Sequence, residues 1–195
     1  MTHVIKILIY HLYDLLAMSV EIRGVRPEDR KDLIRLFSSL SEDTKKALNG
    51  SGFGFKEARE FADSAFDSLT RSFLLLVNGN LVGEGRYVYL LPGLKVLAEI
   101  GIVITDEYQG KGYGKLLLSR ILEDGIRNGV RKFLLYVDSS NKKAINLFRD
   151  FGFEISEIVI DEDRTLYFMT RYISRDEIID FALPKAVSVS VHPGT

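Results

Sequence analysis

The segment from Lys95 to Val137 constrains the fold most. It begins with KVLAEIGIVIT, a β-rich apolar run, and passes into YQGKGYGK (residues 108–115), where glycine stands at every second position from Gly110. A leucine-rich stretch with helical spacing follows to Arg127, and RKFLLYV closes the segment as a second short apolar run. This order predicts a strand over 95–104, a helix over 112–127 and a strand over 131–137, joined as a parallel crossover in one sheet. The class is therefore α/β.

The flanking sequence supplies more strands. Ser19 to Val25 reads as a first strand, and Arg26-Pro27-Glu28-Asp29 opens a helix carrying Leu33, Ile34, Leu36 and Phe37. Residues 38–54 read as a loop with a short helix. Phe55 to Phe66 reads as a helix with Phe55, Ala58, Phe61, Ala62, Ala65 and Phe66 on one side. SFLLLV-NGN-LVGEGRYVYL is a hairpin about Asn78-Gly79, NKKAINLFRDF (141–151) a helix, and FEISEIVI with RTLYFMTRYI a closing hairpin. The expected organisation is an amphipathic extension over 1–18, one domain over 19–173, and a C-terminal helix and tail over 174–195. Residues 1–17 place Ile5, Leu8, Ile9, Leu12, Leu15 and Leu16 at helical steps, interrupted by His11 and Asp14. Two readings stay open for them: a helix docked on the body or on a second subunit of a homodimer, or a segment upstream of a start at Met18. They are too short and too polar for a membrane span.

Composition removes several chemistries. The chain has no cysteine, and its three histidines (His3, His11 and His192) all lie near the ends. Thiol catalysis, Cys-ligated metals and a His-based triad or metal site inside the domain are excluded, so no metal is expected. A net charge of −1 gives no footprint for nucleic acid. The expected setting is cytoplasmic, and the many charges with few thermolabile residues lean towards a thermophile.

The glycine stretch fits neither familiar nucleotide loop. A dinucleotide fingerprint needs glycine where Lys115 stands, and a P-loop needs glycine at Gln109 and Ser or Thr at Leu116. A flexible strand-to-helix turn would need only one glycine. Glycines at 110, 112 and 114 instead leave backbone N–H groups uncovered at a helix N-terminus, where a pyrophosphate fits without a catalytic metal. The place is also the carboxyl end of a parallel strand, the usual ligand crevice of such sheets.

Gln109-x-x-Gly112-x-Gly114, following AEIGIVI, resembles the Q/R-x-x-G-x-G/A acyl-CoA signature of the GNAT superfamily of N-acetyltransferases. Asn141 after the next strand and Leu147-Phe148-x-x-Phe151-Gly152-Phe153 resemble the family's downstream motifs, and the element order fits from about Val20 to Tyr172. The resemblance implies a GNAT-like mixed, mostly antiparallel sheet around the central parallel βαβ unit, with helices on both faces. It also implies acetyl-CoA as cosubstrate. Gln109, Gly110, Lys111, Gly112, Tyr113, Gly114 and Lys115 would cradle its pyrophosphate, while Ile102, Val103 and Ile104 would pair with the pantetheine arm like an added strand. Asn141 would contact the same arm, cap the following helix, or do both.

Acetyl transfer to an amine needs a base, an oxyanion donor and a leaving thiolate. A backbone N–H near Val103 or Ile104 suits the oxyanion. Glu99, on an otherwise apolar strand, is the expected base, because partial burial would raise its pKa from ~4.3 towards the working pH. It can equally be read as a partly exposed or ion-paired strand residue; Glu84 is the reserve. Many family members carry a tyrosine acid where this chain has Phe148, which reads as core. Tyr136 is a candidate donor in its place, against the alternative of a packed strand aromatic. RPED, SLSED and the Ala98-Glu99 pair resemble the lysine-acetylating members of bacteria and archaea, so the expected acceptor is a protein lysine. A small-molecule amine is the alternative, and a non-catalytic acyl-CoA sensor is a third reading.

Overall fold

The computed structural model describes residues 19–49, 53–161 and 164–182; the segment expected to be amphipathic over 1–17 and the tail beyond 182 lie outside them. Seven strands form one sheet: β1 (Val20–Gly24), β2 (Thr70–Val77), β3 (Asn80–Leu91), β4 (Leu94–Ile104), β5 (Lys132–Asp138), β6 (Glu154–Asp161) and β7 (Arg164–Tyr172). Their order is β1-β2-β3-β4-β5-β7-β6, and every neighbouring pair is antiparallel except β4–β5. The turn at Asn78-Gly79, both with positive φ, closes the β2–β3 hairpin as the sequence predicts.

Among the described residues six α-helices accompany the sheet: α1 (Arg30–Ser39), α2 (Glu42–Asn49), α3 (Phe55–Ser64), α4 (Tyr113–Arg127), α5 (Lys142–Asp150) and α6 (Arg175–Ala182). The alternation of side chains along β4 divides them. Ala98, Ile100 and Ile104 join a core with Leu117, Ile121 and Ile126 of α4 and Ile145 and Phe148 of α5. Val103 joins the opposite core, with Leu33, Leu36 and Phe37 of α1 and Ala58 and Ala62 of α3. The sheet therefore carries helices on both faces, and the odd-numbered residues of β4 belong to the α1–α3 side.

One helix differs from expectation. The stretch predicted as helical to Phe66 ends at Ser64, and Phe55 and Phe66 stay exposed. The small Ala58 and Ala62 let α3 lie close on the sheet, which leaves the terminal phenylalanines beyond its edge. Phe61 stacks instead against Phe37 and Phe53, with centroids 5.6 and 5.3 Å away. Among the described residues no helix is long and apolar enough to cross a membrane.

Helix α4 sits tightly on β3 because Gly85 has no side chain. A Cβ there would lie 2.7 Å from Cδ1 of Ile121 and 2.8 Å from Cγ of Leu117. Gly85→Val is expected to destabilise the fold by about 1–3 kcal/mol through overpacking. A urea-unfolding midpoint equal to that of the parent would show that α4 has room to move.

Candidate active site

Strands β4 and β5 pair over only Leu97↔Lys132, Ala98↔Phe133 and Glu99↔Leu134. Both then continue, as residues 100–104 and 135–138, without facing each other. The facing backbone edges therefore open into a wedge that widens towards the carboxyl ends of both strands. Gly101 is exposed although β4 lies in the middle of the sheet. Unpaired strand edges demand a partner, and an extended amide-bearing chain can supply one.

Beyond the wedge, a 3-10 turn (Asp106–Tyr108) leads to the glycine stretch. Gly110 and Gly112 have φ of 75° and 87°, a region closed to most side chains, and a Cβ at either would meet nothing within 4 Å. Gly112 is the residue that starts α4, and no side chain caps this end. Among the described residues no carbonyl accepts a hydrogen bond from the N–H groups of residues 110–114. Five adjacent donors thus lack a backbone acceptor at the positive end of a fifteen-residue helix, with open space around Gly110 and Gly112, an arrangement that can hold a pyrophosphate.

The residues expected in this cradle take different parts. Gly114 is a packing glycine: a Cβ there would stand 3.2 Å from Cδ2 of Leu147 on α5. The side chain of Tyr113 is buried in the core, so only its backbone faces the loop. Lys111 lies over the Tyr108 ring at 5.1 Å, and Lys115 is paired with Asp150 at 2.7 Å. Gln109 turns inward and donates to the Ile104 carbonyl (3.0 Å) and to Thr44 Oγ1 on α2 (3.2 Å). Ile102 is half-buried against the α4–α5 core, while Val103 packs towards α1 and α3. Asn141 caps α5, accepting from the Ala144 N–H at 3.1 Å.

Glu99 lies opposite Val88 on β3 and Leu134 on β5, at the apex of the wedge and on the α1–α3 side. Burial raises its carboxyl above the ordinary range, and among the described residues no cation or donor offsets it. Tyr136 is two residues beyond Leu134 on the same face. It is 51% exposed, with its ring 5.0 Å from that of Phe168 on β7. Phe148 is only 6% exposed and meets Phe153 edge-on at 5.6 Å, so it belongs to the core.

The reserve base fails on geometry. Glu84 is 2% exposed; it accepts from Ser72 Oγ in a very short hydrogen bond and from Arg86 Nε at 2.8 Å. Arg86 in turn donates to the Phe61 carbonyl (3.1 Å) and Ser64 Oγ (2.5 Å), and its guanidinium lies 5.7 Å from the Phe37 ring. Arg86 therefore clamps the end of α3 to the sheet, and Glu84 is occupied in balancing its charge. A separate cavity of about 300 Å³ between α1 and the β2–β3 hairpin has a rim whose charges are already matched, Arg23 with Asp29 and Arg35 with Asp32.

The wedge opens between the carboxyl ends of β4 and β5, with the start of α4 at its mouth and Glu99 at its apex. The model of the acetyltransferase (GNAT) family matches residues 34–153, and the chain belongs to that family. It is an acetyl-CoA-dependent N-acetyltransferase. The chain is similar to the thialysine N-epsilon-acetyltransferase of Mus musculus, 27% identical over 151 residues that cover 69% of this chain and 84% of that one. It is also similar to the spermidine N(1)-acetyltransferase of Escherichia coli K12, 27% identical over 154 residues, 75% of this chain and 78% of that one. The spermidine N-acetyltransferase of Vibrio cholerae, solved with CoA and spermine, shares the fold at a TM-score of 0.67 and 20% identity, covering 82% and 98% of the two chains. Among the described residues no group of acids and histidines could hold a metal ion.

The raised carboxyl of Glu99 has a stability consequence. The folded form keeps its proton at pH values where the unfolded chain, with a pKa near ~4.3, has lost it. Stability therefore falls as pH rises through the raised folded pKa, and the bare carboxylate is destabilising at neutral pH. Glu99→Gln is expected to unfold at a higher temperature than the parent at pH 7–8, with the gap closing below about pH 4. Equal unfolding temperatures throughout that range would mean that Glu99 is fully solvated.

Proposed function

We propose that the chain moves the acetyl group of acetyl-CoA directly onto a small-molecule alkylamine, with Glu99 as the base. The observation that carries this reading is the unpaired, half-buried carboxylate at the apex of the wedge. The N–H groups of residues 110–114 would hold the pyrophosphate, and the free edge of residues 100–104 would pair with the pantetheine arm. This sets the thioester near Glu99. The acceptor ammonium gives one proton to Glu99, the amine nitrogen attacks the carbonyl carbon, the carbon–sulfur bond breaks, and the second proton shed by the nitrogen balances the one taken up by the departing thiolate. A backbone N–H near Val103 or Ile104 would steady the oxygen as charge develops on it.

The choice of acceptor rests on the relatives. The mouse and Escherichia coli proteins are named for thialysine and spermidine, both small amines. The protein lysine suggested by RPED and SLSED has no counterpart in those names. In the fold these two motifs are the start of the α1 segment and the cap of α2, structural positions that any acceptor would tolerate. Tyr136, half exposed across the wedge, is the candidate donor to the thiolate.

Two measurements test the reading. Acetyl transfer to a panel of diamines, polyamines and amino-acid side-chain amines should be detectable, and Glu99→Gln should lower kcat by about 10²–10⁴-fold while removing the acidic limb of the pH profile. Unchanged turnover would eliminate Glu99 as base; transfer to a lysine peptide but to no small amine would restore the protein acceptor. Separately, acetyl-CoA at 100 times its Kd should stabilise the parent by about 2.7 kcal/mol. Gly112→Val, forced to a φ that β-branched residues avoid, should fold yet lose that stabilisation. Retained binding would place the pyrophosphate elsewhere.

A further inference from the structure

The segment that carries the cradle also holds a helix on the far side of the wedge. Asp106, in the turn just before the glycines, accepts from the Ser41 N–H at 2.9 Å, from Ser41 Oγ at 2.6 Å and from Thr44 Oγ1 at 2.7 Å. These donors form the start of α2, where Ser41 Oγ also accepts from the Thr44 N–H at 3.2 Å. Thr44 Oγ1 is shared: it donates to Asp106 and accepts from Gln109 Nε2, which also donates to the end of β4 at the Ile104 carbonyl. One hydroxyl therefore joins α2, the turn and the first residue of the cradle.

The placement of α2 gives this junction a consequence. Its start is fixed to the carboxyl end of β4 by Asp106, and further along Lys46 lies within electrostatic reach of Asp138 at the end of β5. The Asp138 carboxyl is held below the ordinary range chiefly by Ser140, with Arg164 and Lys46 adding to the effect. Helix α2 therefore starts beside the carboxyl end of β4, at the mouth of the wedge, and runs within electrostatic reach of the end of β5. Among the described residues, α2 contributes only the half-buried Leu48 to the apolar core, so little besides the polar junction fixes it to the body. Asp106 also sits beside an anion site, where a free carboxylate would repel a pyrophosphate. Its two oxygens are turned to the positive end of α2 and to two hydroxyls, which offset its charge.

We propose that Thr44 and Asp106 are positioning residues that latch α2 to the coenzyme cradle, so that a bound coenzyme orders the helix at the wedge mouth. The latch rests on the reading that residues 110–114 hold the coenzyme. Filling the cradle fixes Gln109 and the preceding turn, and the Thr44 hydroxyl transmits that order to α2 without any contact between α2 and the reacting atoms.

Hydrogen exchange with and without saturating CoA tests this, since it requires no known acceptor. In the parent, CoA should slow exchange at least fivefold both in residues 110–116 and in α2. Thr44→Val, isosteric but without the hydroxyl, should keep the protection of 110–116 and lose that of α2. Asp106→Ala should do the same, while Thr44→Ser should restore the parent pattern. The network is solvent-accessible, so the unfolding temperatures of the free variants should stay within a few degrees of the parent. Equal protection of α2 in parent and Thr44→Val, or none in the parent beside a protected cradle, overturns the latch. If residues 110–116 gain no protection in any form, the cradle reading itself falls and the latch falls with it.

Discussion

Everything in this structure depends on the parting of two strands. A parallel pair that stopped with its ladder complete would leave a closed sheet with nothing to bind. Here the ladder stops at Glu99↔Leu134 while both strands run on, and the edges so exposed are backbone, able to recognise any extended chain of amides. Gly101 shows the result most directly, since it is exposed in the fourth strand of seven. The ligand's main-chain-like arm would finish a sheet that the polypeptide leaves open.

The two faces of the sheet divide the remaining work. The α4–α5 face is a continuous apolar core in which Phe133, Phe148 and Phe153 are buried, and its task is to hold the start of α4 rigidly at the wedge mouth. The opposite face carries charge. Of the acids there, Glu84 is consumed by Ser72 and Arg86, and that clamp fixes α3 against the strand next to β4. Glu99, one strand over, is given no such partner. In the proposed reading this carboxylate, desolvated and facing the wedge, would take the proton of the acceptor amine.

The sequence announced this organisation unevenly, and the unevenness has a physical cause. Local features are legible: the hairpin at Asn78-Gly79, the glycine-rich strand-to-helix turn at 110–114, the cap at Asn141 and the apolar stripe containing Phe148 are each set within a few residues. Gly114 is expected in the cradle, and a side chain there would also crowd Leu147 on another helix, a contact that spacing does not show. Glu84 and Arg86 are two apart on one strand and so share a face, a pattern that points to an ion pair rather than to a free base. The junction of Ser41, Thr44, Asp106 and Gln109 had no such signal. Its two halves, Ser41 with Thr44 and Asp106 with Gln109, lie more than sixty positions apart in the chain and meet only in the folded protein.

The missing tyrosine acid at Phe148 bears on the chemistry rather than on the fold. A thiol with a pKa near ~8.5 leaves as thiolate far more readily than an alkoxide would, so the step does not require a donor already in place. Phe148 is also in no position to be exchanged freely, since its ring is buried against Phe153 in the core that supports α4. Tyr136 stands two residues beyond the last β4–β5 pair, on a strand face left half open to solvent, where the proposed reading would set a phenol beside the departing sulfur. Water entering by the same opening could protonate the thiolate more slowly. Base and acid would then sit on opposite lips of the wedge, Glu99 on β4 and Tyr136 on β5, and the parting of those strands would set the distance between them.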